Sequence, residues 1–440
     1  MTFIDRARKS VDQAEVYAAR RRVAQVRFRE GALSLVAHRD TSACAVRVIA
    51  KGKLGASFGE SVTQDGLLED AIAAAAYGQE ASFSFAPAQE YPSVGGSDPM
   101  AGPLSASDLI ELAVDVRERI RRGAPDAVVN LLCEAASGER SIETTEGAAA
   151  KEAFARTKLG VEVPFPSRAT DVGATARLIL TGSVEVPDAW IDDLLERRCW
   201  GTSTSVPSSG RLPVLLTPHT SHLLTLTLAA CLGSDSVSKG ASPLGERVGE
   251  QILSDRLTIR EEPTHAGFPF ARSFDDEGVA VQPRAVVERG VLRSFLTDLR
   301  GAADLGQPPT GNAARRTMFS ERIEDAPAPS WLGAIIEPGE DPWRALMAGI
   351  DEGLLVTRLS GLHSSNLLQG QYAVKVDGFH IRSGKPIGCL ERTMIAGNVF
   401  EDFRNVRAAS SERRPTAQAE LEVAGLAPYI LLDSAQVTVG

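Results

Sequence analysis

The chain of 440 residues is poor in aromatic side chains, 5% in all, so its core has to be built from Ala, Val, Leu and Ile. Its five cysteines, Cys44, Cys133, Cys199, Cys231 and Cys389, are odd in number, far apart and never spaced as CxxC. That excludes a disulfide framework and a zinc knuckle. No run of about 18 apolar residues is present, which excludes a membrane-spanning helix. No apolar stretch follows Met1-Thr2-Phe3-Ile4-Asp5, so no signal peptide is indicated and a cytoplasmic protein is expected. A phosphate-cradling P-loop is missing, as is a GxGxxG after a strand. Basic runs such as Arg20–Arg22 and Arg121–Arg122 are short, in a chain of net charge −10. Phosphate binding needs clustered cations, so nucleic acid is not an expected partner.

What is present is ordinary for a globular protein: 43% hydrophobic and 24% charged residues, long enough for two or three domains. A short first helix leads into strand-like runs at Val23–Phe28 and Cys44–Ile49, the second closed by a hairpin at Gly52 and Gly55. Leu67, Leu68, Ala71, Ile72 and Ala75 recur at helical spacing. Residues 86–106, with Pro92, Gly95, Gly96, Pro99, Gly102 and Pro103, read as a linker. The next helix has Ser107 as its expected cap, Leu109, Leu112, Val116 and Ile120 on one face, and Gly123 as its stop. Strands follow at Val128–Cys133 and Ala176–Leu180, then an amphipathic helix at Trp190, Ile191, Leu194 and Leu195. The Ser, Thr, Gly and Pro stretch from Gly201 to Gly210 marks the main boundary. Beyond it come a strand at Leu212–Leu216, a helix from His219 to about Leu232 opened by Thr217 and Pro218, and many short β-like runs. The expected fold class is α+β, with an N-terminal α/β domain over residues 1–100, a central domain over 104–200 and a larger, mostly-β C-terminal domain over 210–440.

Generic catalytic patterns are weak. Gly55-Ala56-Ser57-Phe58-Gly59 fits GxSxG, but a nucleophile elbow needs a strand entering and a helix leaving, and these glycines flank a hairpin. Ser236-Val237-Ser238-Lys239 fits SxxK without its companion motifs. His219 and His222 share a helix face at i and i+3, yet zinc needs a third protein ligand and a hydrolase a general base, which neither Thr220 nor Ser221 can be. The acidic run Asp275-Asp276-Glu277-Gly278 could hold a hard cation, but a turn with Gly278 at positive φ is the expected reading. Read this way, the residues provide no self-sufficient catalytic constellation.

An ordered set of short segments resembles the TldD/PmbA (TldE) family. These are Asp235-Ser236-Val237-Ser238-Lys239-Gly240, Val248-Gly249-Glu250, Phe274-Asp275-Asp276-Glu277-Gly278-Val279, Glu288-Arg289-Gly290-Val291-Leu292, Thr310-Gly311-Asn312-Ala313, Glu337-Pro338-Gly339, Gly353–Thr357, Gly378–Lys385 and Ile395-Ala396-Gly397-Asn398. In the N-terminal half, Ala14-Glu15-Val16-Tyr17 and Arg47-Val48-Ile49 are similar too. The resemblance implies a heterodimeric zinc metallopeptidase acting on unfolded or leader-like peptides. In that family the TldD subunit carries HExxxH and a late cysteine as zinc ligands, and the PmbA subunit lacks them and helps to enclose the substrate.

Counted back from Val248-Gly249-Glu250, the HExxxH window falls on Thr225-Leu226-Thr227-Leu228-Ala229-Ala230, and no cysteine follows Cys389. The resemblance therefore implies the PmbA-like, non-catalytic subunit, with no catalytic residue and no metal or other cofactor in this chain. Zinc is expected in a TldD-like partner. A homodimer is an option without that partner. The loop Thr310, Gly311 and Asn312, with Arg315 and Arg316 beyond it, is the expected cleft-facing segment. Two other readings stay open: an autonomous hydrolase using His219 and His222 or Ser57, and a regulatory binding protein of the gyrase-modulator type.

Overall fold

A computed structural model describes residues 2–94, 104–166, 173–181, 184–316, 322–416 and 425–440. The linker reading at 86–106 falls partly on 95–103, outside the described residues. Among the described residues no helix is long and apolar enough to cross a membrane.

The N-terminal half is organised by two very long strands, β1 (Gln13–Arg29) and β2 (Ala32–Ala50), paired along their whole length. Their connection is the pair Glu30-Gly31, with φ of 51° and 78°. The next hairpin, from β2 to β3 (Lys53–Gly59), turns on Lys51-Gly52 with φ of 52° and 74°. Two successive left-handed residues make a type I′ turn, whose twist matches that of paired strands, and glycine takes the second position without a Cβ clash. Strands β4 (Asn130–Thr144), β5 (Ala149–Pro164) and β6 (Gly173–Leu180) complete an antiparallel sheet of order β3-β2-β1-β4-β5-β6. β4 pairs β1 from Glu15 to Phe28, so strands from residues 1–100 and from 104–200 lie in one sheet, and the division expected near residue 100 does not interrupt it.

One end of this sheet is covered by α1 (Phe3–Ala7) and α2 (Leu67–Ala75), which bury Ala14, Val16, Cys44, Val46 and Val48. The other end is covered by α3 (Ala106–Gly123) and α4 (Asp188–Trp200). The cap of α3 is Ser105, not the expected Ser107. Its hydroxyl accepts the N–H of Asp108, and the Asp108 carboxylate accepts the Ser105 N–H at 2.8 Å. This reciprocal capping box satisfies two otherwise orphaned N–H groups, which a cap at Ser107 could not offer.

The C-terminal half is mostly β, as expected. Its pairing closes into a ring of five strands: Gly210–Leu216, Glu352–Ser360, Gln371–Arg382, Thr393–Asn398 and Gly425–Val439. Both faces of these strands are apolar. Val214, Leu216, Leu354, Val356, Ile430 and Leu432 pack with α5 (His222–Leu232). Their neighbours Leu215, Leu355, Phe379, Tyr429 and Leu431 pack instead with residues of α3 and α4. Strands buried on both faces read as continuous apolar runs rather than as alternation, which is how Leu212–Leu216 and Tyr429–Leu432 appear in the sequence.

Gly55, the first glycine of the GxSxG pattern, lets α2 lie against β3. A Cβ there would sit 2.1 Å from the Ala71 carbonyl oxygen and 2.4 Å from the Ala75 nitrogen. Gly55→Ala is expected to destabilise the protein by about 1–3 kcal/mol through overpacking, read as a lower urea midpoint at unchanged slope.

Candidate functional site

The expected cleft loop has a structural role at its tip. Thr310 exchanges hydrogen bonds with Thr297, its Oγ1 accepting the Thr297 N–H at 2.8 Å. Asn312 is fully buried. Its Nδ2 donates to the Ser330 carbonyl at 2.9 Å and its Oδ1 accepts from Arg284, whose Nη1 also donates to the Thr310 carbonyl. Gly311 has φ of 68° and packs against the backbone of Ala280 and Val281. Arg316 donates to the Ser330 hydroxyl and the Trp331 carbonyl. Of the five residues, Arg315 lines the cavity described below.

Beside the loop, Glu261 is fully buried. Its Oε1 accepts the N–H groups of Leu332 and Gly333, at 3.0 and 2.8 Å, and its Oε2 has no hydrogen bond among the described residues. Burial pushes this carboxyl up to about 7, despite the opposing charge of Arg284. A carboxyl raised in the folded state gives its full stabilisation below the unfolded value of 4.5 and loses it as pH rises to about 7. Glu261→Gln keeps the acceptor for both N–H groups. Melts across that window should show stability falling with pH in the parent and a flatter profile in the variant.

The candidate site is built around a buried charge network that the sequence did not reveal. Arg47 of β2 reaches Glu15 of β1 at 2.9 and 2.5 Å and Glu277 at 2.8 Å. Arg315 reaches the same Glu15 at 3.1 Å. Asp276 accepts from Arg272 at 2.5 Å and from the Arg315 N–H at 2.7 Å. Asp275 accepts three N–H groups, those of Glu277, Val279 and Ala313. On β4 and β5, Arg140 pairs with Glu152, which also accepts the Ser273 N–H and hydroxyl. The acidic turn does place Gly278 at positive φ, 80°. Its carboxylates, however, are buried and engaged by guanidinium and N–H donors, so it anchors the C-terminal domain to the odd-numbered face of β1 and β2. Burial opposes ionisation of Asp276, but Arg272 and Arg140 outweigh it and hold its carboxyl at about 2. The one hint in the sequence was a lone charge inside an apolar strand, Glu15 between Ala14 and Val16 and Arg47 between Val46 and Val48. Glu15→Gln removes one anion from two buried cations and is expected to cost about 3–5 kcal/mol in a denaturant melt.

This network forms the floor of a cavity of about 380 Å³, lined by Tyr17, Arg140, Arg156, Asp276 and Arg315 among others. The other candidate centres lie apart from it. Ser57 donates to the Leu67 carbonyl at 2.7 Å, tying α2 to β3. His222 Nδ1 lies 2.6 Å from the His219 carbonyl, and the space beside His219 is about 10 Å³, shared with Arg177, Arg197 and Arg414. Burial first, then these arginines, pushes His219 down to about 3, and burial holds His222 near 4. A cationic, nearly solid pocket is the wrong surrounding for a metal ion. In the window Thr225–Ala230, Thr227 donates to the Leu223 carbonyl and the Thr225 carbonyl accepts from the Trp331 indole. Thr, Leu and Ala provide neither imidazole nor thiolate nor carboxylate, so these residues do not fit a zinc ion. Among the described residues no three His, Cys, Asp or Glu side chains gather as a metal site.

Residues 209–439 match the family model described as the PmbA/TldA metallopeptidase C-terminal domain, and residues 14–76 match that of PmbA/TldA metallopeptidase domain 1. The chain is 25% identical over 253 residues to a metalloprotease PmbA homolog of Buchnera aphidicola, covering 53% of each. It is 27% identical over 213 residues to a zinc metalloprotease TldD homolog of Saccharolobus solfataricus, covering 47% of this chain and 46% of that one. The chain thus spans about half the length of the curated relatives it matches. The crystal structure of TldE from Thermococcus kodakarensis shares the fold over 99% of both chains, with a TM-score of 0.89 at 21% identity. With its larger half matched from end to end, the chain belongs to the PmbA/TldA metallopeptidase family.

Proposed function

We propose that this chain is the non-catalytic, substrate-enclosing member of a two-subunit cytoplasmic peptidase, and that a TldD-like partner supplies the zinc and the water-activating glutamate. The observation that carries this reading is helix α5. In a chain of a metallopeptidase family, the window Thr225–Ala230 holds no metal-ligating side chain, and the helix is packed into the core of the five-stranded ring. The chain's own contribution is then to hold an extended, unfolded or leader-like peptide.

A free sheet edge supports that role. β2 is paired by β3 only from Cys44 to Ala50, so among the described residues its stretch from Ala32 to Ala43 has a neighbour on one side alone. Such an edge can add a strand through backbone hydrogen bonds, which read no side chain and suit unfolded substrates.

Elemental analysis of the purified chain, with peptidase assays alone and after addition of a TldD-like subunit, tests the proposal. The expected result is no bound zinc, no activity alone and turnover in the mixture. Stoichiometric zinc with activity of the isolated chain would overturn it.

A further inference from the structure

The lining of the cavity above the buried network carries more guanidinium groups than carboxylates, although Arg20 is paired with Asp40 and Arg21 with Glu134 outside that lining. The guanidinium groups of Arg20, Arg21, Arg140, Arg156, Arg315 and Arg322 line it, against the carboxylates of Asp276 and Glu324. Both oxygens of Asp276 already accept, from Arg272 and from the Arg315 N–H. Glu324 lies 3.6 Å from Arg322. The anions that balance the deeper arginines sit behind them: Glu152 takes Arg140 through Nε, and Glu15 takes Arg315 through Nη2. Arg140 is thereby fixed by one nitrogen, and its two terminal nitrogens make no hydrogen bond to the protein among the described residues. A guanidinium held from the rear with its fork open presents the paired N–H geometry that a carboxylate accepts bidentately. Arg156 stands between the Phe154 and Phe270 rings, with centroids 5.0 and 4.5 Å from its guanidinium carbon. Stacking of this kind limits the rotamers of a long side chain before any guest arrives.

Position narrows the guest. Thr41 and Ala43 of β2 also line the cavity, and β3 begins to pair at Cys44. The cavity therefore opens beside the point where the free edge begins. We propose that it binds a carboxylate of an extended peptide laid along that edge, either the terminal α-carboxylate or an acidic side chain. This rests on the proposed peptide-enclosing role and adds to it a chemical preference that backbone pairing cannot supply.

Binding to the isolated full-length chain, without partner or metal, tests it by fluorescence anisotropy. Four labelled versions of one peptide are compared: with a free C-terminus and one Asp, with the C-terminus amidated, with Asp replaced by Asn, and with both changes. Removing the carboxylate that is read should weaken binding about tenfold or more, the scale of a charge-assisted hydrogen bond. Which single change does so identifies its source. Arg140→Gln and, separately, the more peripheral Arg156→Gln should weaken the carboxylate peptide and leave the doubly neutral one unchanged, whereas Arg140→Lys should recover part of the loss. Circular dichroism confirms that each variant is folded. Equal binding of all four peptides, no binding of any, or indifference to both Gln variants would overturn the proposal. An inactive mixture with the TldD-like subunit would instead count against the subunit reading, because this measurement does not involve turnover.

Discussion

Glu15 has no exposure to solvent, and its carboxylate is shared by two guanidinium groups, Arg47 from the neighbouring strand and Arg315 from a loop three hundred residues away in sequence. A buried carboxylate is tolerated only when paired and hydrogen-bonded, so each of these groups requires the others in place. Arg47 passes the constraint to Glu277, Arg315 passes it through its backbone to Asp276, and Asp276 to Arg272. Four separate stretches of chain, from β1, β2, the segment Arg272–Glu277 and the loop at Arg315, are thus brought to one place. The relative setting of the N-terminal sheet and the C-terminal domain is specified by charge as well as by apolar contact. The cavity above exists because the same face of β1 that carries Glu15 continues through Tyr17, Ala19 and Arg21 without a helix to cover it.

The second organising feature is the ring of five strands with two apolar faces. One face closes on α5 and the other on residues of α3 and α4. α5 thereby lies in the core of the C-terminal domain. His222 at its start follows the same logic, since desolvation keeps it neutral near ordinary pH. The candidate site is the arginine-lined cavity on the first sheet, to whose lining α5 contributes no residue.

Much of the architecture was legible from local rules. The hairpin at Gly52, the helix over Leu67–Ala75, the helix ending at Gly123 and the strand Leu212–Leu216 each announce themselves by turn chemistry or periodicity. Strand length was not legible. β1 and β2 run 17 and 19 residues, and their outer parts carry Arg, His and Asp, which break the alternation that marks a strand. They remain strands because each is hydrogen-bonded to the other through a type I′ turn, a partner that periodicity within one strand cannot see. The capping box of α3 was misread by two residues, because Ser105 and Ser107 are equivalent by type and only the reach to Asp108 separates them.

By itself, then, the sequence determined the α+β class and the hairpin turns, since these depend on residue type and short spacing. Tertiary structure alone decided what the charges do. The acidic run Asp275-Asp276-Glu277 reads locally as a turn, and the loop Thr310-Gly311-Asn312 as a cleft-facing one. The three carboxylates and Asn312 are buried, and Glu277 is met by Arg47 from a strand far away in the chain. Only Arg315 of the expected cleft residues reaches the cavity, and its partners Tyr17, Arg140 and Arg156 lie far from it in the chain. Electrostatic pairing depends on distance in space and on the local loss of solvent, and neither quantity is written in the order of residues along one strand or turn.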